Sequence, residues 1–154
     1  KPNFVEHLQA IYHDVWNFEK LPKNSSISFL HFVKYLERND LNKVDGHWMP
    51  QSIISGNVIA DYVIKIENLQ RELSILFDYI GIDKNYFEIE QNNRTHYQKD
   101  VYDANVEYFR LKGDALLNID LPNYKHFLKE ELQRRIYNIY RSDFDRFNYS
   151  YELT

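Results

Sequence analysis

The chain has 154 residues, 44% hydrophobic and 16% aromatic, enough apolar surface to pack a core for one domain or part of one. Its 19 basic and 23 acidic residues are interspersed and leave a formal charge of −4, which argues against a nucleic-acid groove or a polybasic membrane patch. It has no cysteine, which excludes a disulfide framework, a Cys-ligated zinc and a thiolate nucleophile, and no apolar run long enough to span a membrane.

Phe4, Leu8, Ile11, Tyr12, Val15 and Trp16 recur at helical spacing and predict a first helix through about Glu19. Leu21 to Ser25 reads as a turn around Pro22. Ser28 is a good N-cap for a second helix with the apolar stripe Phe29, Leu30, Val33 and Leu36. After a polar, loop-like stretch from Asn39 comes the knot Gly46-His47-Trp48-Met49-Pro50-Gln51.

Tyr62 to Ile66 is short and rich in β-branched residues, a strand pattern. Glu67-Asn68 turns the chain, with Asn68 as the expected N-cap of a helix striped by Leu69, Leu73, Leu76, Phe77 and Ile80. Gly81 sits where a left-handed residue would end that helix. Strand, turn and helix make half of a βαβ unit.

Ile82 to Asp120 reads as an irregular excursion, with weak strand patterns at Tyr86–Ile89 and Glu107–Leu111 around a polar run. Leu121-Pro122-Asn123 then opens a last long helix, predicted to carry Phe127, Leu128, Leu132, Ile136 and Tyr140 on one face. A short coda with Ser142 as its N-cap ends in aromatics. The expected fold is mostly α with a small β component.

The candidate chemistry is narrow. Gly46, Gly56, Gly81 and Gly113 are the four glycines and no two are close, so no glycine-rich loop can cradle a phosphate. The six histidines form no HExxH motif and no i, i+4 pair, so no metal site is expected. No GxSxG elbow is present. His47, Trp48 and Gln51 together offer a titratable group, a flat apolar wall and an amide, which suits a sugar-like ligand. The alternative is that Trp48 plugs the core while His47 and Gln51 tie down loop backbone. Arg94 with His96 could receive an anion, or lie in an exposed polar loop. Tyr140, Asp143, Phe144, Phe147 and Tyr149 read as an aromatic cap on the core, with Asp143 helping at a helix start.

In order and spacing, four of these segments resemble the carbohydrate-type sulfotransferases that use 3′-phosphoadenosine 5′-phosphosulfate. Ser28-Phe29-Leu30-His31-Phe32-Val33-Lys34-Tyr35-Leu36 is similar to the family's Ser/Thr-Phe-x-x-Phe-x-x-Tyr-Leu helix, and His47-Trp48-Met49-Pro50-Gln51 to its His-Trp-x-Pro-Gln segment. Asp61 to Leu69 resembles its strand ending in Glu-Asn-Leu, and Tyr140, Asp143, Phe144, Phe147 and Tyr149 its closing Tyr-x-x-Asp-Phe-x-x-Phe-x-Tyr. Asp100 to Asp120 looks like an insertion relative to that pattern.

The resemblance implies transfer of a sulfuryl group from that nucleotide donor, without a metal, to a carbohydrate hydroxyl. It also implies an α/β three-layer, P-loop-like domain around a parallel sheet. The family's Lys/Gly/Ser-Thr-rich donor loop and its Arg…Arg…Ser segment have no counterpart in the sequence. Residues 1–154 are therefore expected to form one unit, the C-terminal part of such a domain, with catalytic and donor-binding groups upstream of Lys1. His47, Trp48, Gln51 and Arg94 are its substrate-binding candidates. The competing expectation is a non-catalytic α-rich binding or interaction module. Abundant Asn, Ile, Lys and Tyr point to a bacterial cytoplasmic protein; the sequons at Asn24, Asn93 and Asn148 would suit the alternative, a Golgi lumen.

Overall fold

The computed structural model describes residues 4–83 and 102–151. These fall into two units, 4–56 together with 102–151, and 57–83. Both are predominantly helical.

In the first unit, α1 (Phe4–Phe18) packs on α2 (Phe29–Arg38), and α2 packs on α6 (Glu130–Ile139) and on a 3-10 turn at Tyr108–Arg110. Leu30 and Val33 of α2, Phe109 of the turn and Leu132 of α6 form the core, with Phe29, Leu128, Ile136 and Ile139 packed against it. Ile11 and Val15 are buried on α1, as the helical stripe predicts. Ion pairs lace the rim. Arg38 reaches Asp14 at 2.6 Å and lies 3.9 Å over the Phe18 ring, and Arg135 joins α6 to Glu37 of α2 at 2.8 Å. Partly exposed pairs of this kind contribute little each and mainly fix helix register.

Ser28 starts α2 as expected. With φ −96°, its Oγ accepts from the His31 N–H at 3.3 Å, and the Ser28 N–H donates to His31 Nδ1 at 3.1 Å. This is a capping box in which histidine takes the place usually held by Glu or Gln.

The predicted last long helix is broken. A 3-10 turn covers Tyr124–Phe127, the chain extends at Lys129 (ψ 159°), and α6 begins at Glu130. Tyr140 (φ −105°, ψ 21°) separates α6 from α7 (Arg141–Phe147), the coda expected after the last long helix. Ser142 lies inside α7 rather than capping it. The apparent insertion is also part of the core: Phe109 is 1% exposed, and its segment pairs with α2's cap through a single antiparallel bridge, Ser28 to Lys112, before α5 (Gly113–Leu116). The strand pattern at Glu107–Leu111 thus resolves into the Tyr108–Arg110 turn.

In the second unit, a 3-10 turn at Ile66–Asn68 leads into α4 (Leu69–Ile80). Gly81 ends α4 in the left-handed region (φ 72°), and the N–H groups of Gly81 and Ile82 both bond the Phe77 carbonyl. Asn68 makes no side-chain cap; Glu72 instead reaches back to accept the Lys65 N–H at 3.1 Å.

The expected strand does not form. Residues 62–65 pair with nothing in a ladder, and Tyr62, Val63 and Ile66 are exposed. Strand-favouring side chains cannot make a strand without a partner edge, and no second strand among the described residues supplies one. The small β component and the α/β layers are accordingly not seen among these residues. The other strand pattern, Tyr86–Ile89, lies outside them.

Candidate functional site

The His47–Gln51 loop is built from a tight turn. Asp45 Oδ1 accepts the His47 N–H at 2.9 Å and also contacts His47 Nδ1, while the Asp45 carbonyl receives the Trp48 N–H at 2.9 Å and the Met49 N–H at 3.1 Å. An Asp that bonds backbone two residues on is the usual device for such a turn. Pro50 is fully buried and fixes the entry to α3 (Gln51–Ile54).

What holds this loop comes from the far end of the chain. The Asp143 carboxylate accepts the N–H groups of Gln51 and Ser52, each at 2.8 Å. It therefore caps the start of α3, not of its own helix, and satisfies two donors that a helix start leaves unpaired. At the other end of α3, Arg146 Nη1 donates to the carbonyls of Ser52 at 3.1 Å and Gly56 at 2.6 Å. One helix thus places an anion at the N-terminus of α3 and a cation at its C-terminus, the arrangement its backbone dipole favours. Ser52 and Ser142 also share a hydroxyl bond at 2.7 Å. The Tyr140 hydroxyl donates to the Trp48 carbonyl at 2.8 Å; burial, and then the nearby Asp143 charge, push its pKa above the usual phenol value.

Trp48 is half-buried, with its ring edge-on to Phe32 of α2 at 4.9 Å. Its Nε1 is buried without a hydrogen-bond partner among the described residues. The aromatic cap is present: Phe144 packs edge-on against Tyr137 at 5.1 Å and Tyr149 at 6.3 Å.

The structure therefore brings His47, Trp48 and Gln51 together on one braced loop. The His47 side chain is 68% exposed, and Gln51 is exposed while its backbone is tied. Trp48 lies half-buried against Phe32, Asp45 and Asp143 tie the loop backbone, and Asp45 also holds His47 Nδ1, while His47 and Gln51 stay exposed. Arg94 lies outside the described residues. Sequence reasoning missed Asp45, Ser52, Ser142 and Arg146 as members of this assembly. Only Asp45 carried a local signal, an Asp-Gly pair ahead of His47.

The starts of α2 and α3 build no phosphate cradle. The N-terminus of α2 is filled by its own capping box, and that of α3 by a carboxylate that would repel an anion. The nucleotide donor implied by the resemblance does not fit either place.

Three of the four segments that carry the resemblance meet at this loop: α2 through Phe32, the loop itself, and α7 with Tyr140. No curated protein and no solved structure matches the chain. The model of the sulfotransferase family matches residues 5–150, nearly the whole chain, and the protein belongs to the sulfotransferase family.

Proposed function

We propose that the protein transfers a sulfuryl group from 3′-phosphoadenosine 5′-phosphosulfate to a carbohydrate hydroxyl, with this chain supplying the acceptor side and the scaffold. Membership of the sulfotransferase family supports the reaction class. The observation that carries the acceptor assignment is the outward-facing pair, His47 and Gln51, on a loop locked from behind by Tyr140, Asp143 and Arg146. With His47 Nδ1 already on Asp45, the pair brings the other ring nitrogen and the Gln51 amide, which both donates and accepts, to a sugar hydroxyl. A loop fixed in advance spends less entropy on holding them in place. Trp48 braces the pair through its contact with Phe32. Arg94 is assigned to an anionic group on the acceptor.

The donor-binding groups and the catalytic base belong, in this reading, to residues outside the chain; the scattered glycines and the filled starts of α2 and α3 support this. No helix among the described residues is long and apolar enough to cross a membrane. The composition supports a bacterial cytoplasmic setting.

The test is transfer of radiolabelled sulfate from the nucleotide donor to a panel of oligosaccharides, using the protein expressed from its native gene. Labelled sugar is expected. Sugar binding without any transfer would instead make the chain a non-catalytic binding module.

A further inference from the structure

We propose that the hollow between α1 and the turn after it is a binding site for a neutral sugar ring, separate from the His47 loop and independent of sulfuryl transfer. The hollow has a volume of about 580 Å³, within the usual range for small-ligand sites. α1 contributes Gln9, Tyr12, His13 and Trp16, which at spacings of three and four share one face. Asn24 and the two serines after it close the other side.

The floor is pre-organised. Trp16 Nε1 donates to the Ser25 carbonyl at 2.8 Å, which fixes the half-buried indole and pins the turn. Tyr12 and His13 flank that indole at 5.7 Å and 5.2 Å. Asn24 is held in the left-handed region (φ 67°) and is exposed.

The polar groups divide cleanly. The Ser25 hydroxyl is committed to the Pro22 carbonyl at 2.7 Å and the Ser26 hydroxyl to Asp114. The side chains of Gln9, His13 and Asn24 make no hydrogen bond among the described residues. Two amides and an imidazole thus rim a fixed aromatic plate. A pyranose matches this arrangement: its C–H face lies on the indole, and its hydroxyls find groups that both donate and accept. No Lys, Arg, Asp or Glu lines the hollow, so a charged ligand would gain no counter-charge and would lose hydration. The occupant is therefore neutral.

The experiment is a nitrogen-edited NMR titration of the protein with methyl glucoside and, separately, methyl glucuronide. The two tryptophans give two indole N–H signals, which distinguish this hollow from the His47 loop. Glucoside should move the Trp16 indole and the Gln9 and Asn24 side-chain amides. The double variant Gln9→Ala, Asn24→Gly, whose glycine keeps the left-handed turn, should weaken binding about tenfold. Movement confined to Trp48 and Gln51 would overturn the inference while leaving the proposed function intact. So would no movement at sugar concentrations on the order of 10 mM, or tighter binding of the glucuronide.

Discussion

Replacing Asp143 with alanine removes the only acceptors that the described residues offer to the N–H groups of Gln51 and Ser52, two bonds of 2.8 Å. Loss of a helix N-cap costs about 1 kcal/mol. A second bond to a charged acceptor would add up to about 1.5–3 kcal/mol if it were dry. Asp143 is only half-buried, so water replaces part of what is lost and screens the charge. The net cost is then about 1–2 kcal/mol, a fall in Tm of roughly 3–6 °C for a chain of this size. Asp143→Asn keeps one carbonyl acceptor and should lose about half as much. Thermal melts followed by circular dichroism measure the cost. Amide exchange locates it, because the Gln51 and Ser52 amides should exchange about 5–30-fold faster in the alanine variant. A Tm drop below about 1 °C with unchanged exchange at Ser52 would refute the clamp between α7 and α3.

Three further outcomes follow from the packing and the caps. Phe109→Ala empties a fully buried site and should cost about 3–5 kcal/mol in urea unfolding, whereas a loss under about 1 kcal/mol would remove the Tyr108–Arg110 turn from the core. Gly81→Ala should destabilise α4 by about 1 kcal/mol through its backbone alone, since a Cβ there meets nothing within 4 Å; unchanged amide exchange along α4 would contradict the left-handed cap. Burial pushes the His31 pKa below its ordinary 6.5, against the opposing pull of Glu19, and the neutral ring accepts the Ser28 N–H. A histidine with a lowered folded pKa gives stability that is fully present above 6.5 and is lost as the pH falls from there toward the folded value. Urea midpoints taken across that window should fall with acid in the parent and fall less in His31→Gln; equal slopes would dismiss the histidine cap.

What was legible in the sequence was local. The stripes of α1 and α2, the Ser28 cap and the Gly81 terminator each depend on neighbours within a turn or two, and each formed where the pattern put it. The strand at Tyr62–Ile66 failed because propensity belongs to the residues but a ladder belongs to a pair. Phe109 sat in a weak strand pattern, and its burial is decided by α2 and α6, which flank it in space and not in sequence. The last helix read as continuous from Pro122 because its apolar spacing persists through the backbone break at Lys129, while its end at Tyr140 fell where the pattern put it.

The candidate site was half legible. His47, Trp48 and Gln51 stood out as residue types, and the closing motif was read as a cap with Asp143 at a helix start. That the helix in question is α3, 92 residues away, is a tertiary fact without a local signature. Two motifs that seemed separate features of the family are thus the two sides of one joint.

The most direct test of the acceptor assignment is the His47→Ala variant of the active enzyme, measured for acceptor KM and for Tm. The ring is largely exposed and its Asp45 partner keeps the backbone bond, so Tm should hold within about 1 °C. The acceptor KM should rise about five- to tenfold, the loss of one hydrogen bond to the sugar. Unchanged kinetics with a lowered Tm would make His47 a structural residue and contradict the account.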